Sequence, residues 1–224
     1  MPYVIRTAPM FLCLLLTLNL AFAEIARAQK GMSAREVFAM LPASIFENTA
    51  EGLSESEKQR LMYEGHAEFW EVAGETEDVM VFSSLPLHDT AVALRLFRDQ
   101  SDGSVKAAIG TLGVPICTVE LWRVDSTGRA VPVDAPQEPP VSEFLARGQQ
   151  LPPDVQPTVL ICLGLGGLQA QPVFWNSRGM THVALTNDIS YQWNGRGFEK
   201  QISPRQHGVA SESEGLSSQH LVGE

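Results

Sequence analysis

Apolar residues change their spacing along this chain in a way that divides it into four parts. Residues Met10 to Leu20 are almost continuously apolar. From Ser33 to Glu64 the apolar positions recur at helical intervals, and from His66 to about Lys200 they alternate with polar residues or run together in short blocks. After Ser203 the pattern fades into Ser, Glu and Gly. A period near 3.6 marks helix and a period of two marks strand, so the order expected is leader, helices, sheet and tail.

The helical part carries its own punctuation. Ser33 precedes Glu36, Val37 and Leu41, and Pro42 follows, which predicts a short capped helix. Ser54 and Glu57 form a capping box, each side chain positioned to satisfy a free amide at the other residue, and Gly65 supplies a left-handed stop. A helix over Glu55–Glu64 follows.

Five strands are expected next, over Ala67–Ala73, Val79–Ser83, Thr90–Arg98, Val105–Leu112 and Ile116–Val124. The turns Asp99–Gly103 and Asp125–Gly128 consist of residues that form side-chain turns or tolerate positive φ, and they suit antiparallel hairpins. Prolines concentrate between Pro132 and Pro157, with one helical turn expected at Ser142–Ala146. This stretch resembles a linker. The segments beyond it, at Thr158–Leu163, Gln171–Trp175 and His182–Leu185, look too few for an independent sheet, which favours one domain. In Tyr191-Gln192-Trp193-Asn194-Gly195-Arg196-Gly197-Phe198, Asn194-Gly195 predicts a two-residue hairpin turn. The expected fold class is α+β and β-rich, an antiparallel sheet or sandwich with two short N-terminal helices, over residues 31–202. Residues 203–224 read as a disordered tail.

Arg6, the apolar block and Ala21-Phe22-Ala23 have the order of an export signal and its cleavage site, with Ala26-Arg27-Ala28 as a second site. The block is shorter than the roughly 20 residues a membrane-spanning helix needs. Export is therefore expected, the periplasm being favoured over full secretion, and no later segment is apolar enough to span a bilayer. Cleavage removes Cys13 and leaves Cys117 and Cys162, both in strand-like apolar runs, as a disulfide pair in an oxidising compartment. By loop-closure arguments such a bridge contributes about 4 kcal/mol.

A formal net charge of -10 disfavours nucleic acid as a partner, because binding to it needs cations to replace counterions. The same charge favours a cationic protein.

The catalytic and cofactor motifs tested all fail. Gly164-Leu165-Gly166-Gly167 follows an apolar strand, but Gln169 stands where a dinucleotide fingerprint needs its third glycine, so a close backbone approach is expected and no cofactor is implied. No Gly-x-Ser-x-Gly or His-Glu-x-x-His is present, and Asp99–Asp102 lacks the ligand spacing of a calcium loop. Glu68 and Glu71 lie on opposite faces of one regular strand and cannot act as a pair. His207 and His220 fall in the expected tail, leaving His66, His88 beside Asp89, and His182 as acid, base or ligand candidates.

The most concrete candidate surface is the hairpin, where a two-residue turn would put Tyr191, Trp193, Arg196 and Phe198 on one side. Such a face binds a sugar, peptide or partner protein if exposed, and forms core if covered. The expected function is a non-catalytic exported binding or accessory protein with no metal or cofactor. The alternative is a hydrolase of an envelope polymer or extracellular substrate, which requires a pocket that gathers the histidines with carboxylates.

Overall fold

A computed structural model describes residues 31–47, 49, 51–85, 90–112, 116–164 and 166–205. The expected leader, His88-Asp89, His207 and His220 lie outside the described residues. Two antiparallel sheets and two short α-helices make up an α+β, β-rich fold.

Both helices obey their local signals. Helix α1, Ala34–Met40, and helix α2, Glu55–Glu64, each begin with a complete capping box, Ser33 with Glu36 and Ser54 with Glu57. Gly65 ends α2 at φ +79°, a conformation in which a Cβ would be strained. The C-terminal carbonyls of α1 have no partner within their own helix. Lys58 of α2 supplies one, its buried ammonium donating to the Ala39 carbonyl at 3.0 Å and also to that of Leu41. Burial lowers the Lys58 pKa, against the opposing influence of Glu55.

The first sheet runs in sequence order, β1 (Trp70–Glu75), β2 (Val79–Ser84), β3 (Ala91–Arg98), β4 (Val105–Leu112), β5 (Val119–Val124) and β6 (Ala130–Val133). It is apolar on both faces. One face sets Met80, Phe82 and Leu94 beneath the helices, where Phe38 lies 4.6 Å from Phe82 and Phe46 lies 5.0 Å from Trp70, ring to ring. The Trp70 indole N–H donates to the Gly52 carbonyl at 2.8 Å, so this large side chain is buried without an orphaned donor.

The other face packs on the second sheet, ordered β11 (Phe198–Pro204), β10 (Asn187–Trp193), β8 (Gly167–Asn176), β7 (Gln156–Leu163), with β9 (Gly179–Thr181) paired to β8. Val81, Ala93, Phe97, Ala108 and Leu121 meet Val159, Ile161, Leu168, Ala170, Ile189 and Tyr191 in one core. The strands after the proline-rich stretch thus do form a sheet of their own, contrary to expectation. Its inner face is apolar and is covered by the first sheet, so the two share a core.

Several boundaries move for local reasons. Ala67 N–H donates to the Trp70 carbonyl at 2.7 Å, and this tight turn delays β1 to Trp70. Strand β5 starts at Val119, after the cystine. Strand β6 was not expected because it contains Pro132, which an edge strand tolerates when its nitrogen faces away from the ladder. The turn expected at Ser142–Ala146 is a 3-10 turn at Val141–Phe144. Residues 182–185 are a loop, because the Ala184 carbonyl accepts from Gln149 and the Thr186 N–H donates to the Phe144 carbonyl in place of a ladder. Strand β11 continues through the expected domain end at 202 to Pro204, and Arg205 N–H donates to the Thr186 carbonyl at 2.8 Å.

Cys117 and Cys162 form a disulfide with Cα atoms 5.6 Å apart, joining the chain just before β5 to β7. Gly167 confirms a close approach: an added Cβ would stand 2.3 Å from the Tyr191 carbonyl oxygen. Among the described residues no helix is long and apolar enough to cross a membrane.

Two stability predictions follow from these contacts. Lys58→Met leaves the Ala39 and Leu41 carbonyls without their ammonium donor, and we expect a loss of about 1–3 kcal/mol in urea unfolding. Asp102, hydrogen-bonded by Ser104 and paired with Arg123 at 2.6 Å, has its pKa pulled down to about 2. An unfolded aspartate titrates at about 4, so its contribution is full above that pH and disappears as pH falls toward 2. In unfolding midpoints measured from pH 6 to pH 2, Asp102→Asn should therefore reduce the acid-side decline.

Candidate functional site

The hairpin between β10 and β11 turns its aromatic side chains toward the core, one of the two outcomes its composition allowed, and in a register other than the expected one. Its register pairs Trp193 with Phe198 and Tyr191 with Lys200, whereas an Asn194-Gly195 turn would have paired Trp193 with Arg196 and Tyr191 with Phe198. The cause lies in the Asn194 side chain. Its Oδ1 accepts from the amides of Arg196 at 3.0 Å and Gly197 at 2.9 Å, while Asn194 N–H donates to the Gly197 carbonyl at 3.1 Å. The turn is thereby centred on Gly195-Arg196.

With this register, Tyr191, Trp193 and Phe198 point into the space between the sheets. Trp193 and Phe198 meet edge to face at 5.1 Å, and Phe97 of β3 contacts both, at 5.8 Å from Trp193 and 4.9 Å from Phe198. The Trp193 indole N–H donates to the Arg98 carbonyl at 3.0 Å, and the Lys106 ammonium sits 4.8 Å from its ring centre. Gln100 N–H donates to the Gly195 carbonyl at 2.8 Å and Lys106 to that of Arg196. The hairpin tip therefore latches the second sheet onto the β3–β4 turn, and Arg196 stays exposed at the bend, apart from the aromatic cluster. Burial raises the Tyr191 phenol pKa, and its hydroxyl donates to the Gln137 carbonyl at 2.7 Å.

That last bond anchors the part of the proline-rich stretch that lies between β6 and β7, at Gln137, where the chain forms no strand. Residues 134–140 leave β6 and run as an extended strap across the flank of the sandwich, with a groove on each side. One, of about 710 Å³, is lined by Cys117, Thr118, Val119, Asp134, Glu138 and Ile161 among others. The second, of about 430 Å³, lies between Pro136–Pro140 and Tyr191, Phe198 and Lys200.

The larger groove combines apolar walls with two exposed carboxylates. Neither Asp134 nor Glu138 makes an ion pair or side-chain hydrogen bond among the described residues. Many carboxylates elsewhere are engaged: Asp78 with Arg98, Glu75 with Arg35, Glu143 with Lys200, and Asp188 with Arg205. The composition around Asp134 contained this signal, but the proline content made the stretch read as a connector.

Of the histidine candidates, the two within the described residues, His66 and His182, are not drawn into these grooves. His66 is exposed beside Glu64, 3.8 Å away, and His182 is exposed in the loop after β9, and neither lines a groove. Glu68 lies exposed before β1, while Glu71 lies within it opposite His66. Among the described residues no group of three or more His, Cys, Asp or Glu side chains is placed to hold a metal ion.

Searches found no matching family model, no matching curated protein and no matching solved structure.

Truncating the latch tests the reassignment of the hairpin. Trp193→Ala removes an indole packed between Phe97 and Phe198, and we expect a loss of about 3 kcal/mol in thermal or urea unfolding. An unchanged midpoint would return Trp193 to the surface.

Proposed function

We propose that this is an exported, non-catalytic binding or accessory protein whose partner is a cationic protein. The observation that carries this reading is the larger groove, where Asp134 and Glu138 stand exposed, without an ion pair among the described residues, on a chain with a net charge of -10. Surface potential of one sign draws an oppositely charged partner and repels one of like charge. Apolar side chains beside the carboxylates offer the contact area that charge alone lacks.

Export, with the periplasm favoured over secretion into the medium, is supported by the Arg6, Met10–Leu20 and Ala21-Phe22-Ala23 sequence. The Cys117–Cys162 bridge supports it too, since disulfides persist in oxidising compartments. Nucleic acid is disfavoured by the acidity.

The test is binding of fluorescent poly-L-lysine, with poly-L-glutamate as control, followed by anisotropy as salt is raised. Screening shortens from about 30 Å at 0.01 M to about 3 Å at 1 M. We expect poly-L-lysine to bind at low salt and to be released at high salt, with no binding of poly-L-glutamate. Equal binding of both polymers, or none of poly-L-lysine, would remove the cationic-partner reading.

A further inference from the structure

Strand β6 is shorter than the strand it pairs with. Its Ala130–Val133 covers Val124 back to Leu121 of β5, and the chain then leaves the sheet at Asp134. Among the described residues, Val119 at the start of β5 has no strand partner on that side.

The ladder shows which main-chain groups are left over. Antiparallel pairs alternate between hydrogen-bonded and non-hydrogen-bonded positions. Pro132 has no N–H and stands opposite Trp122, so that pair is a non-bonded one and the bonded positions of β5 are Leu121 and Arg123. Two residues earlier, Val119 directs its N–H and carbonyl to the same side, into the space beyond the end of β6. Thr118 points the opposite way, its carbonyl accepting from Thr111 N–H of β4 at 3.1 Å. In the second sheet, Pro172 opposite Val159 and Pro157 opposite Phe174 mark the non-bonded pairs of β7. Ile161 is in the same phase, and its main-chain groups therefore point away from β8.

Val119 and Ile161 both line the larger groove. Leu160, Pro136, Asp134 and Glu138 line the same groove. No main-chain bond from another described segment occupies either position. An exposed strand edge of this kind accepts an extended peptide, whose backbone supplies affinity while alternate side chains supply specificity.

We propose that the groove takes an extended basic segment of the cationic partner, added to the first sheet in the place that β6 vacates. Its backbone bonds to Val119, and its Lys or Arg side chains meet Asp134 and Glu138. Intervening apolar side chains pack on Leu160 and Pro136. This rests on the cationic-partner reading above, and adds the surface and the mode of binding.

The probe is the peptide acetyl-Lys-Val-Lys-Val-Lys-Val-amide, labelled for anisotropy, with the Glu-Val counterpart as control, at low salt. The variant is Asp134→Asn with Glu138→Gln, two exposed near-isosteric changes outside the core, with unfolding midpoints compared to verify folding. We expect the basic peptide to bind, to slow amide hydrogen exchange at Val119, and to bind the double variant roughly five- to tenfold more weakly, as loss of two exposed ion pairs implies. Equal affinity for the double variant, or protection that spares Val119, overturns the groove assignment. Poly-L-lysine separates the two levels. If the peptide fails to bind while poly-L-lysine still does, the groove is wrong and the cationic partner stands, whereas failure of both removes the partner reading itself.

Discussion

A sheet that is apolar on both faces cannot be stable until both are covered, and this constraint governs the rest of the molecule. In β2 and β3, Val81 and Ala93 face one way and Met80, Phe82 and Leu94 the other, all shielded from water. Burial of apolar area is the dominant favourable term in folding, so each face requires its own layer. Helices α1 and α2 with the aromatic group around Phe46 provide one, and the second sheet provides the other.

The attachments between layers follow from that requirement. A covering sheet must be held in one register, and three devices hold it. The disulfide ties β7 to the approach of β5, the Trp193 hairpin latches onto the β3–β4 turn, and Arg95 donates across the interface to the Gly164 carbonyl at 3.2 Å. The strap at 134–140 closes the remaining flank, anchored by the Tyr191 hydroxyl. Because β6 ends before β5 does, the flank is not sealed, and the groove is what remains. Function on this reading lies at an imperfection of the ladder, where strand edge, charge and apolar wall coincide.

Elements whose causes are local were legible from the residues. The capping boxes at Ser33 and Ser54 and the stop at Gly65 act within a few residues, and both helices form where those signals predict. Strand β4 matches its expected bounds, Val105–Leu112, because the turn residues Asp99–Gly103 set where the mostly apolar segment begins. The pairing of Cys117 with Cys162 followed from the predicted loss of Cys13. Strand β6 was obscured because Pro132 is a breaker in a central strand but harmless at an edge, and edge position is a property of the assembled sheet. The hairpin register turned on one side-chain oxygen, Asn194 Oδ1, whose choice of amides shifts every cross-strand pair.

The sequence by itself determined both capped helices, most of the strands and their order, the acidic character and the apolar residues that require burial, because these depend on local geometry and composition. Only the tertiary structure decided which apolar face is core and which strand edge is open. An aromatic face such as Tyr191, Trp193 and Phe198 has the same chemistry as a binding surface or as an interior, and it became interior because another sheet lies across it. Asp134 and Glu138 likewise line one groove with Val119 only in the folded chain, where β6 stops short, a juxtaposition that no spacing along the chain encodes.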